Sequence, residues 1–269
     1  MNQAEDVLVS IIMPSYNAEK LIGRTIESVL SQSYVNWELL AIDDCSKDST
    51  RDVVNDFVKH DSRIRLIALD KNNGAPAAPR NIGVREAKGE WVAFLDADDI
   101  WHPKKLMLQM EAMQRTDSIF CSTQMLDFTD DKLVSFSNCS GEMQNRNISL
   151  YTQLRKFRTP TSSVVARKDL LLKYPFNEDP EYKAREDLEC WLRIHEEIGS
   201  SIKLLYPLLY YRIVEGQISG SKWKMVFKTH MVLSRFRLKS GKSLGWKKYY
   251  YSVTQTLYAI YFRLIKKSL

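Results

Sequence analysis

Short apolar runs alternate with longer amphipathic segments over residues 1–115, and this alternation restricts the chain to few folds. The first run, 7–13, is continuously apolar and rich in β-branched residues, which is typical of a strand buried on both faces. The next segment, 20–32, carries its apolar residues at helical spacing. The succession recurs, with strands predicted at 37–42, 64–69 and 91–95 and helices at 50–59, 76–87 and 103–113. This order predicts an α/β fold with a mostly parallel central sheet flanked by helices.

The pattern is less regular from residue 117 to residue 212. The elements predicted there are strands at 118–122, 163–166 and 202–211 and a helix at 187–197. Two more helices are predicted at 223–238 and 246–265. We interpret residues 1–220 as one domain with halves at 1–115 and 116–220, and residues 221–269 as a helical extension.

The residues with the most distinctive chemistry lie where three of the predicted strands end. They are Pro14, Tyr16 and Asn17 after the first strand, Asp43 and Asp44 after the second, and Asp96, Asp98 and Asp99 after the fourth. Ligands of open α/β sheets bind beyond the carboxyl ends of the strands, so we expect these three ends to converge on one cleft. The sequence has neither a GxGxxG fingerprint nor a Walker P-loop, so it does not support a dinucleotide or P-loop site.

Three carboxylates within four residues repel one another unless a positive charge shares their site. Carboxylate oxygens are good ligands for Mg²⁺ or Mn²⁺, and Mg²⁺ is usually held by one or two carboxylates together with substrate phosphates. The cluster at 96–99 therefore suggests a divalent cation bound with a diphosphate. The alternative is structural, because Asp98 or Asp99 could cap the helix predicted from residue 103.

Four segments together resemble the inverting glycosyltransferases of family 2, which have the GT-A fold. They are VSIIMPSYNAEKLIGRTIESVLSQSY, WELLAIDDCSKDST, NNGAPAAPRNIGVREAKGEWVAFLDADDIWHP and REDLECWLR. The resemblance covers residues 7–115 in order and spacing, and then 185–193. It implies that 1–115 binds a nucleotide sugar and that 116–220 binds the acceptor.

The resemblance also implies a role for particular residues. Pro14, Tyr16 and Asn17 would line the nucleoside pocket, Asp44 with Asp43 would hold the base or ribose, and Arg80 and Asn81 would edge the donor site. Asp96 and Asp98 would bind the metal, Asp96 and Ala97 would also bind the donor, and Asp99 would contact the sugar or the metal. Asp187 would be the catalytic base. On position alone, Asp187 could equally be an acid favoured by the first turn of a helix.

Two positions depart from the family pattern. Cys45 stands where the family has a glycine, so the backbone of the turn after the Asp pair could have a different conformation. Pro79 replaces the usual alanine and constrains the start of a helix. The Gln-x-x-Arg-Trp motif of processive relatives is absent, so we expect one sugar to be added per encounter.

Charge is distributed unevenly along the chain. No acidic residue follows Glu215, and residues 221–269 contain twelve Lys and Arg. Apolar residues interleave with these cations, which favours interfacial helices on an anionic membrane. The alternative is that the helices pack on the catalytic domain and the lysines are only solvated. The segment has no nucleic-acid-binding motif, so we expect no nucleic-acid partner.

These observations lead to a functional hypothesis. The chain would transfer a sugar from a nucleoside diphosphate sugar, most simply a UDP-sugar, to a saccharide acceptor, with Mn²⁺ or Mg²⁺ as cofactor. The acceptor would be lipid-linked, as in bacterial surface-polysaccharide synthesis. With no signal peptide and no apolar run of 18 residues, we expect a peripheral protein on the cytoplasmic face of the cell membrane. The competing hypothesis is an inactive nucleotide-sugar-binding scaffold.

Overall fold

In the part of the chain that the structure describes, a nine-stranded mixed sheet with helices on both faces forms the centre. The computed structural model describes residues 7–136, 139, 144–156, 159–213 and 222–266, without the side chains of Leu133, Lys222 and 262–266. The predicted boundary between residues 220 and 221 lies outside the described residues, as do residues 1–6 and 267–269.

Strands and helices alternate from the start of the described chain. In order they are β1 (Val9–Ser15), α1 (Ile22–Leu30), β2 (Trp37–Asp43), α2 (Thr50–His60), β3 (Ile64–Ala68), α3 (Ala77–Glu86), β4 (Trp91–Phe94), β5 (Ile100–Trp101), α4 (Lys105–Thr116), β6 (Phe120–Phe128), β7 (Asn145–Ser149), α5 (Leu150–Arg155), β8 (Val165–Arg167), α6 (Lys168–Lys173), α7 (Glu186–Ile198), β9 (Ser200–Arg212), α8 (Lys222–Arg235) and α9 (Lys247–Lys266).

The strand order is β3-β2-β1-β4-β8-β6-β9-β5, with β7 paired to β9. The first four strands in this order are all parallel, as the alternating pattern of residues 1–115 predicts. The other half of the sheet is mixed, because β6 and β9 are parallel while their remaining pairings and that of β4 with β8 are antiparallel. The predicted α/β fold with flanking helices is therefore confirmed, with parallel pairing throughout the first four strands and between β6 and β9.

Strand β1 begins and ends two residues later than predicted and includes Pro14. Proline lacks the N–H group that a central strand uses for pairing. Here β4 pairs with β1 only as far as Ile12, opposite Phe94, so Pro14 lies beyond that ladder. On the other side β1 stays in register with β2 to its last residue, Ser15, opposite Asp43.

Burial on both faces explains why β1 and β2 are apolar throughout. Leu39 and Ala41 pack into the hydrophobic cluster on one face, while Leu40 and Ile42 pack into the cluster on the other. Helix α3 approaches the second face closely, since a Cβ added at Gly83 would lie 2.3 Å from Cγ2 of Ile12. This close packing sets the position of the side chains that α3 carries.

Several elements of the structure have no counterpart in the sequence-based prediction. Strand β7 has the sequence NRNIS, with one buried residue, so it shows no apolar alternation. Strand β5 has two residues, and helices α5 and α6 have six each, which is too short for a helical period to appear.

The two C-terminal helices pack on the body of the protein through one side. Val232 and Leu233 of α8, and Phe236 directly after the helix, join a hydrophobic cluster with Leu188 and Leu192 of α7. In α9, Gln255 Nε2 donates to the carbonyl oxygens of Gln153 and Leu154 at 3.0 Å. Within the described residues, no helix is both long enough and apolar enough to cross a bilayer.

Candidate active site

The ends of β2, β1 and β4 lie side by side, as the sequence predicts. Asp44 N donates to Ser15 O at 2.8 Å, which joins the loops after β2 and β1. Leu95 follows β4, and its N–H donates to Ile12 O at 3.0 Å, which keeps it beside β1. The next residues, 96–99, form what we call the carboxylate loop. The three sets of candidate residues therefore share one edge of the sheet.

Surrounding elements fix the backbone of the carboxylate loop. Asp96 N donates to Ser162 Oγ at 3.0 Å, and Thr25 Oγ1 of α1 donates to Ala97 O at 2.9 Å. At the other end, Arg212 of β9 donates through Nε to Asp98 O at 2.7 Å and through its N–H to Asp99 Oδ1 at 3.1 Å. The loop therefore holds its carboxylates in a set geometry before any ligand binds.

The carboxylates destabilise one another's charged forms. Desolvation, followed by the negative charge of Asp96, raises the pKa of Asp98 to about 6. Desolvation, with the charges of Asp98 and Asp96, raises the pKa of the fully buried Asp99 well above its ordinary value. Among the described residues, the Asp98 carboxylate is hydrogen-bonded by its own backbone N–H, and no ion pair to it is found. The loop therefore has a surplus of negative charge that a cation would relieve.

The donor set fits Mg²⁺ or Mn²⁺ shared with a diphosphate. In the described part of the chain, no group of three or more His, Cys, Asp or Glu could hold a metal ion without other ligands. Mg²⁺ is usually bound by one or two carboxylates plus substrate phosphates, so a complete protein cage is not required. Asp98 and Asp96 can supply those carboxylates.

Arg80 connects the carboxylate loop to helix α7. Its guanidinium is buried and pairs with Asp96 Oδ1 at 2.7 Å and with Glu186 Oε1 at 3.2 Å. Because Glu186 begins α7, this one side chain brings the loop and the candidate base Asp187 into the same region. Sequence reasoning missed Glu186, which is 106 positions from Arg80 with no local pattern linking them.

Asp187 lies in the first turn of α7 with a strongly shifted pKa. Desolvation, followed by the charge of Glu186, raises its pKa to about 7, and the charges of Arg185 and Arg80 oppose this rise. Its Oδ1 accepts a hydrogen bond from Leu188 N at 2.7 Å. A carboxylate with this pKa can accept and release a proton near neutral pH.

Helix α8 holds the turn that leads into Asp187. Lys228 Nζ donates to Lys183 O at 2.6 Å, and Arg185 Nε donates to Thr229 Oγ1 at 2.8 Å. Between them, Ala184 has a φ of 69°, a left-handed conformation that a residue with a side chain adopts at some cost. The α8 contacts therefore support a strained turn directly before the candidate base. The sequence contains no signal for these contacts.

The two aspartates after β2 have different surroundings. Asp43 is fully buried, and its Oδ2 accepts from Arg51 Nε at 2.5 Å and from Ser46 N at 3.0 Å. Its Oδ1 is buried with no hydrogen-bond partner in the described structure. Asp44 accepts instead from Asn73 N at 3.0 Å and from Asn73 Nδ2 at 2.6 Å. Asp44 thus already stabilises the neighbouring 72–74 turn.

The loop after β1 is also tied to the chain around it. Asn17 has a φ of 49°, and its Oδ1 accepts from Lys47 N at 2.9 Å, while Tyr16 remains 48% exposed at the rim. Cys45 has a φ of 63°, the left-handed conformation for which the family's glycine is suited. The turn thus keeps a glycine-like backbone despite the substitution.

Asn81 and Pro79 are part of helix α3. The Asn81 amide accepts from Phe176 N at 2.9 Å and donates to Phe176 O and Glu178 Oε1 at 2.8 Å, so it clamps the 176–178 segment to the helix. Pro79 lies in the first turn of α3, where its missing N–H is not needed.

Comparison with known proteins identifies the family of the chain. The model of the family "Glycosyl transferase family 2" matches residues 10–171. The chain is 35% identical to the putative teichuronic acid biosynthesis glycosyltransferase TuaG of Bacillus subtilis over 233 residues, covering 84% of this chain and 86% of TuaG. It is also 35% identical to the Escherichia coli UDP-Glc:alpha-D-GlcNAc-diphosphoundecaprenol beta-1,3-glucosyltransferase WfgD over 234 residues, covering 86% and 87%.

A solved structure with a similar fold is that of S. aureus TarS residues 1–349 in complex with UDP-GlcNAc. It matches with a TM-score of 0.67 and 20% identity, over 84% of this chain and 65% of that one. The match supports the fold assignment from the sheet order and the helices. By family model, relatives and fold, the chain belongs to glycosyl transferase family 2 and is a glycosyltransferase with the GT-A fold.

Proposed function

We propose that this glycosyltransferase is metal-dependent and inverting, and that it adds a single sugar from a UDP-sugar to a lipid-linked saccharide in bacterial surface-polysaccharide synthesis. The observation that carries this proposal is the Arg80 bridge, because it joins the metal-type carboxylates and the start of α7 in one site. The donor diphosphate and the acceptor hydroxyl would then bind next to each other.

The proposed donor site lies at the ends of β1 and β2. The unpartnered Oδ1 of Asp43 is a ready acceptor for an N–H or O–H of a nucleoside, and Asp44 lies beside it. Pro14, Tyr16 and Asn17 form the other wall of this pocket. Arg80 and Asn81 edge it, although the Asn81 amide would act through the 176–178 clamp. The printed name of WfgD specifies UDP-Glc, and the TarS structure contains UDP-GlcNAc, which supports uridine as the nucleoside.

The proposed mechanism divides the work between two groups of carboxylates. Asp98 and Asp96 would hold Mn²⁺ or Mg²⁺, which when bound supplies charge neutralisation for the leaving diphosphate. Asp99 accepts a hydrogen bond from Arg212 N, which supports the loop, and it would contact the sugar or the metal. Asp187 takes the proton from the acceptor hydroxyl while the hydroxyl oxygen attacks the anomeric carbon and the bond from that carbon to the diphosphate breaks. Because the attack comes from the side opposite the diphosphate, the configuration of the anomeric carbon is inverted.

The acceptor and location follow from two further observations. The printed name of WfgD specifies a diphosphoundecaprenol-linked acceptor, and that of TuaG specifies teichuronic acid biosynthesis. The twelve cations of residues 221–269 suit a surface carrying anionic lipid. We therefore place the enzyme on the cytoplasmic face of the cell membrane as a peripheral protein.

The direct test is release of UDP by the purified full chain from a set of UDP-sugars, with Mn²⁺, with Mg²⁺ or with excess chelator. We expect slow donor hydrolysis with either metal and a large loss with chelator. Undiminished UDP release in excess chelator would contradict the metal requirement. Tight UDP binding without turnover on any donor and acceptor pair would favour the inactive scaffold.

A further inference from the structure

The outward side of α9 carries a continuous apolar surface. Its members, which we call the α9 stripe, are Tyr249, Tyr250, Val253, Leu257, Ile260 and Tyr261, each between 42% and 60% exposed. At 100° per residue, positions with these spacings fall within an arc of about 120° on one helix face. Trp246, immediately before the helix, is 73% exposed and extends the same arc. The α9 stripe is thus a single surface and not a set of scattered side chains.

Except at Tyr249, whose ring stacks on His230 of α8 with the ring centroids 5.3 Å apart, the α9 stripe is not the side by which α9 packs on the protein. Tyr251 and Gln255 point to the opposite side, where Tyr251 joins the cluster around α7 and Gln255 bonds to α5. One face of α9 is therefore packed on the protein, while the other carries large apolar side chains that are exposed to solvent. Exposed apolar patches of this kind mark sites of contact with another protein or a membrane.

The charges around the α9 stripe identify its partner. Residues 249–262 contain no charged residue, while Lys247 and Lys248 precede them and Arg263 and Lys266 follow. A second copy of the chain seated on this surface would bring two such basic segments together, and neither has an acidic residue after Glu215. An anionic bilayer surface offers apolar depth for the α9 stripe and negative headgroups for the flanking cations.

We propose that α9 lies flat in the headgroup region of an anionic membrane with the α9 stripe turned into the lipid. This inference rests on the proposed function, because it supplies the membrane contact that a lipid-linked acceptor requires. It assigns the contact to one helix face. Helix α8 adds Trp223 and Phe227, one turn apart and 78% and 73% exposed.

The test compares two single substitutions in the full chain. Leu257→Glu puts a charge in the α9 stripe, whereas Ala259→Glu puts the same charge on an exposed position of the same helix outside it. Each protein is sedimented with vesicles of neutral lipid containing increasing fractions of anionic phosphatidylglycerol, at low and physiological salt. We expect the affinity of wild type and of Ala259→Glu for vesicles to rise with the fraction of anionic lipid. Leu257→Glu should bind the same vesicles at least about tenfold more weakly.

Equal vesicle binding by the two variants, or no binding by wild type on any vesicle at low salt, would overturn the assignment. A wild-type dimer in sedimentation velocity that Leu257→Glu dissociates, without vesicle binding, would assign the surface to a second copy instead. UDP release is measured in parallel to separate the two proposals. Vesicle binding without UDP release refutes the glycosyl-transfer scheme alone, and UDP release without vesicle binding refutes the anchor alone.

Discussion

Replacing Asp187 with asparagine should lower turnover by roughly 10² or more while UDP-sugar binding stays close to wild type. Asparagine keeps the size of the side chain and can still accept a hydrogen bond from Leu188 N, so the first turn of α7 is preserved. It cannot accept a proton from the acceptor hydroxyl. The measurements are kcat with donor and acceptor, and the Kd of UDP by calorimetry.

The pH profile separates the base role from a structural one. Because the pKa of Asp187 is raised to about 7, its carboxylate becomes protonated and inactive as the pH falls through 7. This pKa belongs to the ligand-free protein, so wild-type kcat/KM should decline as the pH falls below about 7, and this decline should be absent in the variant. Glu189→Gln makes the equivalent change two residues further on, at a side chain paired with Arg193, and should leave kcat nearly unchanged. If Asp187→Asn turns over like wild type, the base lies elsewhere.

Removing the Asp98 carboxylate should abolish the metal-dependent part of UDP binding. Loss of even an outer-shell partner costs metal sites 10–100-fold, so loss of a direct ligand should weaken UDP binding in Mn²⁺ by roughly 100-fold or more. Binding in chelator should be no weaker for Asp98→Ala than for wild type, because no metal contributes there and the variant lacks a negative charge that repels the diphosphate. The measurement is calorimetry with UDP in both conditions.

Folding of Asp98→Ala serves as the internal control. The raised pKa of Asp98 reflects desolvation and repulsion from Asp96, so removing this charge should not lower the melting temperature at neutral pH. A variant with wild-type affinity for UDP in Mn²⁺ would show that Asp98 does not hold the metal. A variant that melts much earlier would show that the carboxylate supports the loop structurally, contrary to the repulsion that its pKa indicates.

Much of the first half could be predicted from sequence because its strands are buried on both faces. Runs such as β1 and β2 leave a strong apolar signal, and the residues after them fall at one sheet edge by topology alone. The second half could not be predicted so well, because strands such as β7 are stabilised by pairing and contain mostly exposed polar residues.

Within the site, sequence identified the candidate residues but not their partners. Arg80 and Glu186 are far apart in the chain, and their contact depends on the packing of α3 and α7 against the completed sheet. Asp44 and Asn81 belong to the resembling motifs, yet both form hydrogen bonds within the chain. A motif alone does not distinguish a residue that would touch the ligand from one that shapes the loops around it.

The contacts from α8 to the turn before Asp187 bear on how this enzyme can be divided and recombined. A chimera that exchanged everything after residue 213 for the tail of another transferase would lose Lys228 and Thr229 and leave Ala184 in its left-handed turn without that support. If such a chimera lost activity, the cause could be a misplaced Asp187 as well as a change in membrane binding. The smallest portable catalytic unit of this chain therefore extends at least through Arg235, the end of α8, and modules exchanged between relatives should not be joined before that residue.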